Sequence, residues 1–186
     1  MRLRPTTLII AAETSSPNPD TGRLVCLGYT QLSRERGPVK IILGGDNEKT
    51  TIQKVRELMN ECHVYITWGG VRSLVPFLTA KMLIHGIDPS PLYSSKHIDL
   101  ADLVSSHLNL SGSSLYDACK IFRVPVAPLL RGAGPQRARV EVSNNSRRKG
   151  SGGAAKCRAE VVALEGLTRR LLPLISTVYR DLPTLL

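Results

Sequence analysis

The sequence predicts an α/β domain: a mixed five-stranded sheet with helices on its faces. Three observations carry that expectation. Three short β-rich runs come first, separated by Pro/Asn/Asp/Gly turn clusters, and read as an antiparallel meander. The apolar period then changes from two to about 3.6, and helical and strand-like segments alternate. Finally, 186 residues with 42% hydrophobic content suit one globular domain over 1–186 with a sizeable core.

The elements follow in order. Thr7–Ala12 is the first strand, and "SSPNPDTGR" a turn. Leu24–Thr30 is the second strand, "SRERGP" the next turn, and Val39–Leu43 the third strand. Asp46 or Asn47 caps a helix whose Ile52, Val55, Leu58 and Met59 share one face. His63–Thr67 is the fourth strand. A helix begins near Leu74, tolerates Pro76 in its first turn, and ends before Gly86. "GIDPSPLY" reads as a rigid turn. "KHIDLADLVSSHL" holds a short strand and then a helix from about Leu100. Ser113 or Ser114 caps a helix through Ile121. Arg131–Ala154 is rich in Gly, Ser, Asn and Arg and reads as a basic flexible loop, at about 131–155. Ala155–Leu172 is a last amphipathic helix with Val161, Leu164, Leu167 and Leu171 on one face, bent or ended by Pro173.

Charge points to an anionic partner. The formal net charge is +10. Most of it lies in Arg131, Arg137, Arg139, Arg147, Arg148, Lys149, Lys156 and Arg158, set against one acid, Glu141. Such a balance speaks of partners, not of fold. Cys26, Cys62, Cys119 and Cys157 form no CxxC pair, which reads as scattered buried thiols in a reducing compartment. No apolar run approaches the roughly 20 residues of a membrane helix. The N-terminal apolar run is too short for a signal peptide, so the expectation is a cytoplasmic protein away from the membrane.

In open α/β sheets, sites form outside the carboxyl ends of adjacent strands. Glu13 follows the first strand, and Trp68–Gly70 the fourth. The stretch "LIIAAETSS" delivers Glu13 from an apolar strand, with Ala11 two positions before it. Later come "TWGGVRSLVPFLTAKML" and "HGIDPSPLYSSKHIDLADLVSSHL".

With these stretches the chain resembles the 3′–5′ exonucleases of the DEDD (DnaQ-like) superfamily, which have the ribonuclease H-like fold. It looks closest to the branch related to the proofreading domains of family B DNA polymerases. The resemblance covers most of 7–123 and, more weakly, 156–182. The family's first strand ends in Asp-x-Glu-Thr, matched here by "AAET". Its strand–Trp-Asn-Gly–Phe-Asp–Pro-Phe-Leu stretch is matched by "TWGGVRSLVPFL". Its Tyr-x-x-x-Asp on the last helix is matched best by "KCRAE", Lys156 to Glu160.

The resemblance implies two-metal phosphodiester hydrolysis, in which carboxylates hold two divalent ions about 3.5–4 Å apart. Hard oxygen ligands suit Mg²⁺ or Mn²⁺. Carried across, the bridging Asp falls on Ala11 and the Glu is kept as Glu13. The second Asp falls on Leu74, the third on Glu160, the Tyr on Lys156 and the Asn on Gly69. Losses at several positions together read as natural divergence rather than one engineered substitution.

The reading that follows is a catalytically degenerate 3′–5′ exonuclease homologue. It would bind single-stranded DNA or RNA, as an accessory protein in replication, repair or RNA processing, with a protein partner in such an assembly. No cofactor is expected. Glu13 and Glu160 are vestigial, with at most one weakly held Mg²⁺ or Mn²⁺. Thr14, Trp68, Arg131, Arg137, Arg139, Arg147, Arg148, Lys149 and Lys156 are the candidate nucleic-acid contacts. Two alternatives stand beside it. One is an active Mg²⁺- or Mn²⁺-dependent exonuclease using Glu13, Glu160 and Asp99 or Asp102. The other is a structural partner subunit. Each residue also has a plainer reading: Glu13 as a solvated strand-end acid, Asp99 and Asp102 as helix-start acids, Trp68 as packing, and His63 and His97 as structural.

Overall fold

A computed structural model describes residues 6–131 and 149–182, with the backbone alone at 149–151. Five strands form one sheet: β1 (Thr7–Thr14), β2 (Leu24–Gln31), β3 (Lys40–Leu43), β4 (Val64–Thr67) and β5 (Lys96–Asp99). Their order across the sheet is β3-β2-β1-β4-β5. The first three pair antiparallel, while β4 runs parallel to both β1 and β5. The expected meander and mixed sheet are both present.

The period of two along β1 splits the molecule into layers. Leu8 and Ile10 face one side. There they meet Ile52, Val55 and Met59 of α1 (Glu48–Asn60), Phe77, Leu78 and Met82 of α2 (Leu74–Ile84), and Leu92 of α3 (Ser90–Ser94). Ile9 and Ala11 face the other side, with Val64 and Ile66 of β4. That core takes in Leu103 and Val104 of α4 (Leu100–His107), Ala118 and Cys119 of α5 (Leu115–Ile121), and Val161, Leu164 and Leu167 of α6 (Lys149–Val178). A turn of 3₁₀ helix, Pro128–Leu130, follows α5.

Caps are local and legible. Asn47 accepts from Thr50 N at 3.2 Å to start α1, and Ser114 accepts from Asp117 N at 3.1 Å to start α5. Three elements depart most from the sequence reading. The first strand runs on to Thr14, so Glu13 lies within β1 opposite Cys26, with an irregularity at Glu13/Thr14. The "GIDPSPLY" stretch holds the short α3, where the Asp88 carboxylate accepts from Ser90 N at 3.0 Å and a Pro stands early in the helix. Helix α6 is longer at both ends than Ala155–Leu172. It begins at Lys149, inside the segment read as loop. It also continues through Pro173, because Leu171 and Ile175 on either side are buried against the core. The hydroxyl of Thr177 donates to the Pro173 carbonyl at 2.7 Å, and Tyr179 N donates to the Ile175 carbonyl at 2.8 Å, so the last turn stays paired.

Gly28 on β2 decides how closely α6 approaches the sheet. A Cβ there would stand 3.1 Å from Cys157 Sγ and 3.2 Å from Val161 Cγ2. The missing side chain lets α6 lie directly on β2.

Among the described residues, no helix is long and apolar enough to cross a membrane.

Candidate functional site

Parity on β1 assembles the site. Glu13 points to the same face as Ile9 and Ala11, and that face is crossed by the first half of α6. Lys156 and Glu160, one helical turn apart, and Cys157 between them, project at this crossing. Lys156 Nζ lies 2.6 Å from Glu13 Oε1, in a half-buried ion pair. Burial opposes the charge on Lys156. The hydrogen bond to Glu13 and the charges of Glu13 and Glu160 outweigh it and hold its pKa above the ordinary value. Glu160 behaves oppositely. Burial, with Glu13's charge added, pushes its carboxyl up to about 7, although Lys156 pulls the other way.

Cys157 seals the place between these groups. Its thiol donates to the Ala11 carbonyl at 3.1 Å and accepts from Gly28 N at 3.1 Å. It also meets Cys26, the cross-strand partner of Glu13. The closeness of the two thiols lowers the pKa of Cys26 and, with burial, raises that of Cys157. All four cysteines are buried and unbridged, as expected from their spacing, but two of them meet, which spacing did not suggest. Among the described residues, no group of three or more His, Cys, Asp and Glu side chains gathers as a metal site.

The second edge of the site is the β4–α2 loop. Asp99 ends β5, and its carboxylate collects three backbone amides. Gly69 N donates to it at 2.7 Å, Val71 N at 2.9 Å and Ala101 N at 3.0 Å. It therefore caps α4 and also ties down the loop that carries Trp68. Gly69 has φ +69°, a left-handed conformation that Gly adopts freely and Asn more readily than most residues. Gly69 thus keeps the loop's backbone where the resemblance places an Asn. His97 does not join Asp99; its Nε2 pairs with Thr67 Oγ1 at 2.7 Å, and burial lowers its pKa. Asp102 pairs instead with Arg72 at 3.6 Å on the surface. The backbone N–H of Thr6 donates to the ring of His63 at 3.1 Å, a structural contact.

Trp68 is half-buried, with its Nε1 inside and no partner among the described residues. It lines a pocket of about 180 Å³ with Arg72, Asp102, Ser105 and Ser113. Thr14 is half-buried at the end of β1, opposite Leu24. Leu74 opens α2 and packs, like Ala12, against the core on the α1 side of the sheet, so it stands apart from the α6 crossing. Arg131 lies against Tyr116, 3.4 Å from its hydroxyl, and does not reach the site. Arg137, Arg139, Arg147 and Arg148, and the side chain of Lys149, lie outside the described residues.

No family model matches the chain, and no curated protein matches its sequence. Solved structures do resemble it. One is the family B DNA polymerase from the hyperthermophilic archaeon Pyrobaculum calidifontis, at TM-score 0.71 and 15% identity, covering 93% of this chain and 25% of the polymerase. Another is exonuclease I with bound product, at TM-score 0.65 and 12% identity, covering 92% of this chain and 44% of that one. A third is E. coli exonuclease I in complex with a dT13 oligonucleotide, at TM-score 0.65 and 12% identity, covering 95% and 44%. The chain thus spans less than half the length of these proteins. Sheet order, flanking helices and these neighbours agree on one conclusion: the fold is the ribonuclease H-like fold of the exonucleases.

Proposed function

We propose that this chain keeps the exonuclease fold as a nucleic-acid-binding domain without phosphodiester hydrolysis. The observation that carries the reading is the 2.6 Å contact between Lys156 and Glu13, beside an alanine at position 11. Where a divalent ion would need carboxylate oxygens, this site presents an ammonium group already bonded to one of the two acids. The other acid, Glu160, favours its protonated form up to about pH 7. The Ala11 carbonyl is occupied by the Cys157 thiol. Two divalent ions do not fit this donor set, because their four charges would face at most two carboxylates and a fixed cation.

Binding is supported by different features. The formal net charge is +10, and a solved neighbour of the same fold holds a dT13 oligonucleotide. In this reading Trp68, which lines the pocket together with Arg72, stacks a base and Arg72 meets a phosphate. Single-stranded DNA or RNA is the ligand class, within a replication, repair or RNA-processing assembly. Fluorescence anisotropy with labelled single-stranded oligonucleotides tests this. Affinity should fall steeply with salt, and Trp68→Ala should weaken binding about tenfold. Absence of salt-sensitive binding to any oligonucleotide would favour a structural partner subunit instead.

A further inference from the structure

We propose a second phosphate-binding site, formed by Arg36, Arg123 and Arg170 at the end of the sheet opposite Glu13. It rests on the nucleic-acid reading above and extends the ligand's path. Glu13 pairs with Cys26 at one end of β1 and β2, while Leu8 pairs with Gln31 at the other. The β2–β3 turn that carries Arg36 leaves from that far end. Along α6, Arg170 lies 14 residues beyond Lys156, roughly 20 Å away at 1.5 Å per residue.

A concavity of about 470 Å³ brings Arg36, Arg123, Arg169 and Arg170 together over Val124 and Gly166. They come from three separate parts of the chain, so no sequence run announces them. Gly166 makes the meeting work: a Cβ there would stand 2.6 Å from Val124 Cγ1 and 3.9 Å from the Arg36 guanidinium. Without that atom, the segment after α5 packs onto α6 and Arg36 reaches over both. Arg169 is the fastener. Its guanidinium donates to the Ser33 carbonyl at 2.7 Å and to buried Glu165 at 2.7 Å, which ties the turn to the helix. Glu165 is thereby paired within α6. Among the described residues, Arg36, Arg123 and Arg170 are in no salt bridge.

Three exposed guanidiniums around one open concavity, with no carboxylate in its lining, select an oxyanion. Their planar, forked donors match phosphate oxygens bidentately. An open basin suits one stretch of a phosphodiester chain better than an enclosed metabolite.

The test is anisotropy with an oligothymidylate of about twenty nucleotides, over a series of salt concentrations. In the wild type, log affinity falls linearly with log salt. The R123Q/R170Q double variant should lower that slope by about 1.4 and weaken binding about tenfold, because each single-strand phosphate contact contributes about 0.7. R36Q alone should lower it by about 0.7, and gives a second reading if the double variant melts early. Wild-type slope and affinity in both variants would overturn this site while leaving the cleft reading intact. Failure of the wild type to bind any oligonucleotide would overturn both. Loss of oligoglutamate binding in the variants, with oligonucleotide binding unchanged, would assign the basin to an acidic protein and also overturn the proposal.

Discussion

Asp99→Ala is expected to lower stability by about 3–5 kcal/mol. The Asp99 side chain is 4% exposed and accepts from Gly69, Val71 and Ala101. Alanine would leave three amides without their acceptor, two of them in the loop that presents Trp68. Charge-assisted hydrogen bonds contribute about 1.5–3 kcal/mol each, and the losses are not additive because the loop can relax toward water. Asp99→Asn separates charge from shape. Its carbonyl can still accept from Gly69 and Ala101, but its amide nitrogen would then face the Val71 N–H, donor against donor. Urea unfolding should place Asn between wild type and Ala. Asn equal to wild type would mean the carboxylate does not tie the loop. Both variants should also weaken oligonucleotide binding, since they loosen the loop under Trp68.

The second large effect is a pH dependence. Glu160 in the folded chain holds its proton up to about 7, against an ordinary value of 4.5. The folded state therefore binds more proton than the unfolded state between those values. Its contribution is fully present below about pH 4.5 and is lost as pH rises through about 7. The full span corresponds to about 3 kcal/mol, of which about 2–3 kcal/mol falls between about pH 5 and pH 8. Other groups titrate in the same window. Half-buried His97, with its pKa lowered, contributes in the opposite sense, gaining stability as pH rises toward about 6.5. The difference between wild type and Glu160→Gln cancels that term. Chemical denaturation from about pH 5 to pH 8 should show Glu160→Gln gaining about 2–3 kcal/mol on wild type as pH rises. Parallel curves would mean Glu160 is not held in its protonated form by burial beside Glu13.

The fold was legible because its signals are local. Period-two strands, turn clusters and the caps at Asn47 and Ser114 each need only neighbours in sequence. Glu13, Glu160 and Lys156 were legible as a group through the resemblance, and the structure brings Glu13 and Lys156 into contact. What stayed hidden depends on packing over long separations. The Cys26–Cys157 contact joins residues 131 positions apart, and its one local sign in the sequence, Gly28 within a β-rich run, is too common a feature to announce it. The arginine basin is invisible for the same reason: three segments converge through Gly166 and Arg169. Leu74 shows the reverse problem. Its alignment with a lost acid suggested a place in the site, whereas an apolar side chain at that helix start turns to the opposite core. Helix α6 was read too short because Gly and Pro carry a helix cost that tertiary packing overrode at Gly153 and Pro173.

One measurement tests the central claim most directly. A 5′-labelled single-stranded oligonucleotide, DNA and then RNA, is incubated with the protein and Mg²⁺ or Mn²⁺ and followed by denaturing gel. The account predicts a bound strand, salt-sensitive in its affinity, that stays full length at every time point. Stepwise metal-dependent shortening by the wild type, abolished in Glu13→Gln, would contradict it.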